Sequence, residues 1–241
     1  MDRVANITDP QRRVYAAMVT ALDDGVGQVL QALQAPNLLN NTLIFFLSDN
    51  GAPLEAFTRN YPLNGSKGSV WEGGIRVPFA VRWTGRLPAG NAYDQPVSAL
   101  DIVPTVAAAA GISLPTDRVY DGLNMLPYLS RQQVAPSRTL FWRWFGLGGT
   151  GPLGSSATIY AVRRDSLKLV QQTGPPGLFN LPTDISERHN LAQIQPGDFA
   201  SLNQLYGQWN ANMRAAADLI SLVASDDCRQ PLFADASTNY Y

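Results

Sequence analysis

The chain has 241 residues, 45% of them hydrophobic and 15% charged, with a formal net charge of -1. That length and apolar content suffice for a sizeable core and exclude a disordered chain, and the near-zero charge gives no electrostatic reason to expect nucleic acid or a membrane surface. A single cysteine, Cys228, excludes an intramolecular disulfide framework. No apolar run reaches the ~18 residues of a membrane span, and no signal-peptide core follows Met1, so no membrane span is expected and the compartment stays open.

In chain order, residues 10–33 predict an amphipathic helix. Val14, Met18, Leu22, Val26, Val29, Leu30 and Leu33 recur at helical spacing behind an Asp9-Pro10 start, and Pro36-Asn37 closes it. Residues 42–47 form a continuous apolar run of strand length, as expected for a strand covered on both faces, and 77–83 form a second. Residues 101–110 predict an alanine-rich helix stopped by Gly111, with Asp101 as its N-cap. After about residue 131 the texture changes. Short strand-like runs at 139–145, 158–164, 167–172 and 178–181 alternate with Gly/Pro/Ser loops, including a long one at 146–156, and predict a small antiparallel sheet. A helix over 199–223 carries Leu202, Leu205, Tyr206, Trp209, Met213, Ala216 and Ile220 on one stripe, and the tail from 225 to 241 has no period. The fold class expected is α/β, divided into residues 1–135, an α/β unit, and 136–241, a small α+β unit.

Two segments carry the chemistry. Ser48-Asp49-Asn50-Gly51 places a carboxylate beside an amide at the end of the first apolar run, which is how oxygen ligands reach a hard cation at the C-terminal edge of a strand. The same tetrapeptide is also ordinary turn chemistry. Downstream, Asn64-Gly65-Ser66-Lys67-Gly68-Ser69-Val70-Trp71-Glu72-Gly73-Gly74-Ile75-Arg76-Val77-Pro78 holds one of only two lysines among small residues that would let a tetrahedral anion approach backbone N–H groups and an ammonium together. Metal ligands and an anion-binding lysine a short loop apart point to a sulfate or phosphate ester.

Through these two segments the chain resembles the sulfatase family within the alkaline-phosphatase-like hydrolases. Leu22-Asp23-Asp24-Gly25-Val26-Gly27, Ser98-Ala99-Leu100-Asp101-Ile102-Val103-Pro104-Thr105, Leu178-Phe179-Asn180-Leu181 and the loop around Asp184 to Ala192 add structural similarity to that family. The resemblance covers what would be the C-terminal portion of a full-length member. It implies a partial sulfatase-like central sheet flanked by helices, followed by a small antiparallel sheet packed with a helix. It implies that Asp49 and Asn50 bind a divalent cation, calcium in the family's usual form, as half a site. Lys67 then contacts the sulfate as both catalytic and substrate-binding residue, in a pocket shared with Asp49 and Asn50. A sulfate ester small molecule or a sulfated glycan is the implied substrate. Asp23 and Asp24 are expected to cap or salt-bridge, and His189, the only histidine, to lie on the surface.

One family element has no counterpart. Sulfatases make a formylglycine nucleophile in a Cys-x-Pro-Ser-Arg motif near the start of the chain. Cys228 stands in Asp227-Cys228-Arg229-Gln230-Pro231, and Val134-Ala135-Pro136-Ser137-Arg138 matches only the tail of the motif, an apparent coincidence. The expectation is a sulfuric ester hydrolase fragment, inactive alone, that self-associates or needs a complementing N-terminal chain. The alternatives are a related phosphoester or phosphonate hydrolase, against which the loop around Lys67 speaks, and a non-catalytic interaction protein derived from a sulfatase.

Overall fold

A computed structural model describes residues 2–53, 58–144 and 159–213. The loop at 146–156, the helix beyond 213, the tail and Cys228 lie outside the described residues.

Helix α1 runs Pro10–Gln34, started by an Asp9 carboxylate that accepts the Arg12 N–H at 2.7 Å. It ends where Asn37 turns left-handed at φ 58 and the Leu38 N–H returns to Leu33 O at 2.9 Å. No residue of α1 is buried. The apolar stripe is present in the sequence but only partly covered: Val26, Leu30 and Leu33 are half-buried, while Val14, Met18, Leu22 and Val29 face solvent. Asp24 pairs with Arg3 at the surface.

Strands β1 (Ile44–Leu47) and β2 (Phe79–Arg82) pair antiparallel, with Ile44 opposite Arg82 and Leu47 opposite Phe79. Both are shorter than the apolar runs that predict them. Neither holds a buried residue, and Phe46 is 45% exposed, so the two-sided cover that their composition calls for is not supplied by the described residues. Between them sits a single helical turn, α2 (Glu72–Ile75), inside the glycine-rich loop. Helix α3 (Ile102–Ala110) stops at Gly111, left-handed at φ 67. Asp101 stands at its N-cap position, as expected, but its side chain makes no cap bond there. Ser98 is the cap of a preceding 3-10 turn, and Asp101 closes a reciprocal capping box by accepting the Ser98 N–H at 2.8 Å. Helix α4 (Leu126–Leu129) is short.

The C-terminal sheet is four antiparallel strands in sequential order: β3 (Thr139–Trp144), β4 (Ile159–Arg164), β5 (Leu167–Gln171) and β6 (Gly177–Asn180). Alternation sorts its side chains. Val162, Leu169 and Leu178 pack against Leu202, Phe199 and Tyr206 of α5 (Pro196–Ala211). Phe141 stacks on Trp209 and Tyr160 on Tyr206 in the same layer. The opposite face, with Ile159, Ala161, Val170 and Phe179, packs against Val70 and Trp71 of the glycine-rich loop. The α/β unit and the antiparallel sheet therefore meet at the segment that carries Lys67.

Candidate active site

Asp49 and Asn50 stand immediately beyond β1, where the Ser48 N–H still reaches Pro78 O at 3.3 Å. The turn holds itself. Ser48 Oγ donates to Asn50 O at 2.9 Å, the Asn50 N–H donates to Asp49 Oδ1 at 2.9 Å, and Asn50 Nδ2 donates to Gly51 O at 3.0 Å. With its nitrogen committed there, the Asn50 amide keeps its oxygen for another contact. Asp49 is exposed and Asn50 half-buried. One carboxylate and one amide oxygen suit a hard cation, and they fill only part of the six to eight positions that calcium takes. Among the described residues no group of three or more His, Cys, Asp or Glu is placed to hold a metal.

Gly51 explains how this turn meets the Lys67 loop. Its N–H donates to Gly74 O at 2.9 Å, and a Cβ at Gly51 would lie 1.7 Å from Gly73 O. Only glycine fits where two backbones touch. Gly65, at φ 78, makes the loop's own sharp turn. Asn60, a residue whose role the sequence does not announce, clamps both segments with one side chain. It accepts from the Ala52 N–H at 3.0 Å and donates to Ala52 O at 2.9 Å and to Gly65 O at 3.1 Å. The Lys67 N–H then donates to Ala52 O at 3.3 Å.

Most of the loop's amides are used inside the protein. The N–H of Ser66 goes to Ser69 Oγ, that of Lys67 to Ala52 O, and that of Ser69 to Ser66 O. Val70 donates to the Gln172 side chain, Glu72 to Glu187, and Gly73 to Asn64 O. The glycines serve close backbone packing, and these amides are spent inside the protein. What the loop holds out to solvent is the exposed Lys67 side chain.

Behind the loop lies an ion cluster that sequence reasoning misses. Lys168 Nζ, fully buried, donates to Glu72 Oε1 at 2.8 Å. It also lies 2.8 Å from Glu187 Oε1, an ion-pair contact outside hydrogen-bond geometry. The Glu72 N–H donates to Glu187 Oε2 at 2.7 Å. Arg76 at 3.4 Å and Arg163 at 3.9 Å face the other Glu72 oxygen. Burial pushes the Glu187 carboxyl up; Lys168 draws it down, and the nearby Glu72 charge adds to the rise. A signal for the cluster exists in the sequence: a lysine at an inward-facing position of an apolar strand, in a chain with only one other, demands a buried counter-ion. Arg138, in the segment whose likeness to the family motif is coincidental, also has a structural task, pairing with buried Asp101. His189 is on the surface, as expected.

The fold is of the α/β class, with a four-stranded antiparallel sheet packed against a helix. A family model described as Sulfatase matches residues 2–112, and one described as N-sulphoglucosamine sulphohydrolase, C-terminal, matches residues 66–208. The chain belongs to the sulfatase family. It is 42% identical over 214 residues to the steryl-sulfatase of Homo sapiens, covering 75% of this chain and 36% of that protein. It is 32% identical over 215 residues to the uncharacterized sulfatase YdeN of Escherichia coli strain K12, covering 76% and 38%. Among solved structures, Ps i-CgsB in complex with k-i-k-neocarrahexaose superposes with a TM-score of 0.80 at 31% identity, over 95% of this chain and 50% of that one. The chain thus spans well under half the length of these curated relatives. No described helix is long and apolar enough to cross a membrane.

Proposed function

We propose that this chain supplies the downstream part of a sulfuric ester hydrolase site, with Lys67 as the sulfate contact and Asp49 and Asn50 as two ligands of a divalent cation. The observation that carries this is the Lys67 N–H on Ala52 O, which ties the lysine's loop to the turn bearing both oxygen donors. The Lys67 ammonium holds the sulfate oxygens and stabilises negative charge as it grows on them and on the leaving oxygen. The cation, calcium by the family resemblance, would supply Lewis-acid polarisation of the sulfate. None of the 241 residues stands in a Cys-x-Pro-Ser-Arg motif, so no nucleophilic step is derived from this chain. The nucleophile belongs to a complementing N-terminal sulfatase segment. The substrate is a sulfate ester, and the carrageenan-type oligosaccharide named in the Ps i-CgsB complex favours a sulfated glycan.

The test is turnover of nitrophenyl sulfate. The purified chain alone should show none above background, because losing an activated nucleophile costs many orders of magnitude in rate. Co-expression with an N-terminal sulfatase segment carrying the motif should restore it, and Lys67→Ala should abolish the restored rate. Robust turnover by the chain alone, insensitive to Lys67→Ala, overturns the assignment. The solvent-facing apolar row of α1 favours a second reading, a non-catalytic interaction protein of sulfatase descent. Under it co-expression restores nothing.

A further inference from the structure

We propose that Lys168 and Glu187 are positioning residues of the anion site, acting through Glu72 to set the loop that carries Lys67. The inference rests on the reading of Lys67 as the sulfate contact. Lys67 sits between two anchorages. On its N-terminal side, Gly65 O and the Lys67 N–H are tied to Asn60 and Ala52. On its C-terminal side, three successive residues are held by the antiparallel sheet and the loop after it. The Val70 N–H donates to Gln172 Oε1 at 2.8 Å, Trp71 meets Phe179 edge-on with ring centroids 5.5 Å apart, and Glu72 is gripped twice. Lys168 holds its carboxylate, and Glu187 takes its N–H.

A purely structural ion pair would satisfy Lys168 with any carboxylate. Here both grips converge on a residue five positions after Lys67, and Glu187 takes a left-handed φ of 52 to aim its carboxylate at a main-chain N–H. Between these two anchorages the Lys67 side chain itself is exposed. Glu72 and its partners fix one end of the main chain that carries the Lys67 side chain, and misplacement of about an ångström weakens a directed contact strongly.

The chain's two lysines make the test clean, because Lys67 is exposed and Lys168 buried. Amine acylation with and without sulfate, read by mass spectrometry, gives the sulfate protection constant of Lys67. Amide hydrogen exchange reads the order of residues 65–74 without any anion. Lys168→Met should weaken sulfate protection by about tenfold or more and speed exchange in 65–74, while exchange in β3 and β4 stays put. Glu187→Gln keeps an oxygen for the Glu72 N–H but removes the second charge facing Lys168, and should weaken sulfate protection measurably, though less than Lys168→Met does. Should Lys168→Met fail to fold, the pair Lys168→Met with Glu187→Gln removes both charges and leaves Glu72 to Arg76 and Arg163. It should show the same loss at Lys67. A folded Lys168→Met or double variant with unchanged exchange in 65–74 overturns the proposal. So does unchanged sulfate protection where the parent chain is protected. If the parent chain shows no sulfate protection, the reading of Lys67 fails by itself, and the exchange comparison still decides whether Lys168 positions the loop.

Discussion

Arg138 grips Asp101 with two parallel bonds, Nη1 to Oδ2 at 2.7 Å and Nη2 to Oδ1 at 2.9 Å. The Asp101 carboxylate is fully buried and also accepts the N–H groups of Ser98 and Leu123, both at 2.8 Å. One side chain thereby fastens the start of α3, the segment before α4 and the entry to β3 to one another. A forked pair of this kind uses geometry that only arginine supplies.

Arg138→Met should therefore destabilise the chain by about 3–5 kcal/mol, the cost of leaving a buried carboxylate without its cation. Arg138→Lys restores the charge without the fork and should recover part of that loss. Equilibrium denaturation in urea measures both, and a change under about 1 kcal/mol for the methionine variant would mean the pair is solvated in solution.

Calcium should bind weakly. Asp49 and Asn50 offer two protein oxygens, so water must complete the coordination. Isothermal calorimetry should find affinity no tighter than roughly the millimolar range of the weakest natural sites, abolished by Asp49→Ala. Tight binding that survives Asp49→Ala would place the ion elsewhere.

Helix α1 should drive self-association. Val14, Met18, Leu22 and Val29 are 48%, 67%, 60% and 60% exposed along one face, and each large apolar side chain forgoes up to about 1.5–3 kcal/mol of burial while it stays wet. Sedimentation velocity should show dimers or larger species, and Met18→Glu with Leu22→Glu should return a monomer of unchanged stability, since neither residue is buried within the chain. A monomeric parent with a sharp unfolding transition would show that α1 needs no cover.

Stability should respond to pH from two carboxylates three positions apart, in opposite senses. Glu187, raised by burial, contributes stability that is complete below its unfolded pKa and lost as pH climbs through its higher folded value. Asp184 is pushed up by burial but held lower overall by the N–H groups of His189 at 2.8 Å and Arg188 at 2.9 Å. Its contribution is present above its unfolded pKa and lost as pH falls through the folded one. In a series of denaturation curves, Glu187→Gln should remove the decline on the alkaline side of the ordinary carboxylate range, and Asp184→Asn the decline on the acidic side. Parallel curves for all three proteins would contradict both assignments.

Local chemistry is what the sequence makes legible. The Asp9-Pro10 start of α1, the Gly111 stop of α3 and the short apolar runs of β4 and β5 each depend on near neighbours, and each is where the pattern puts it. So is the Asp49-Asn50 turn beyond β1. The misreadings involve partners fixed only by the folded chain. Whether a loop amide is free depends on which oxygen lies opposite it, and the Lys67 N–H finds Ala52. Lys168 reaches Glu72 across 96 positions because β5 turns it inward beside Val170, a matter of register that no short window contains. Arg138 belongs with Asp101, 37 positions away, and its likeness to a motif carried no information about that.

The seat of the Lys67 loop is made late. Glu72 and the Glu187 that accepts its N–H are 115 positions apart, so at roughly 5–20 residues per second the ribosome needs on the order of ten seconds to deliver the second after the first. Through that interval the loop has its ties to Asn60 and Ala52 but not its seat on the sheet. The proposed sulfate contact would then reach its final position only once the last sheet is made.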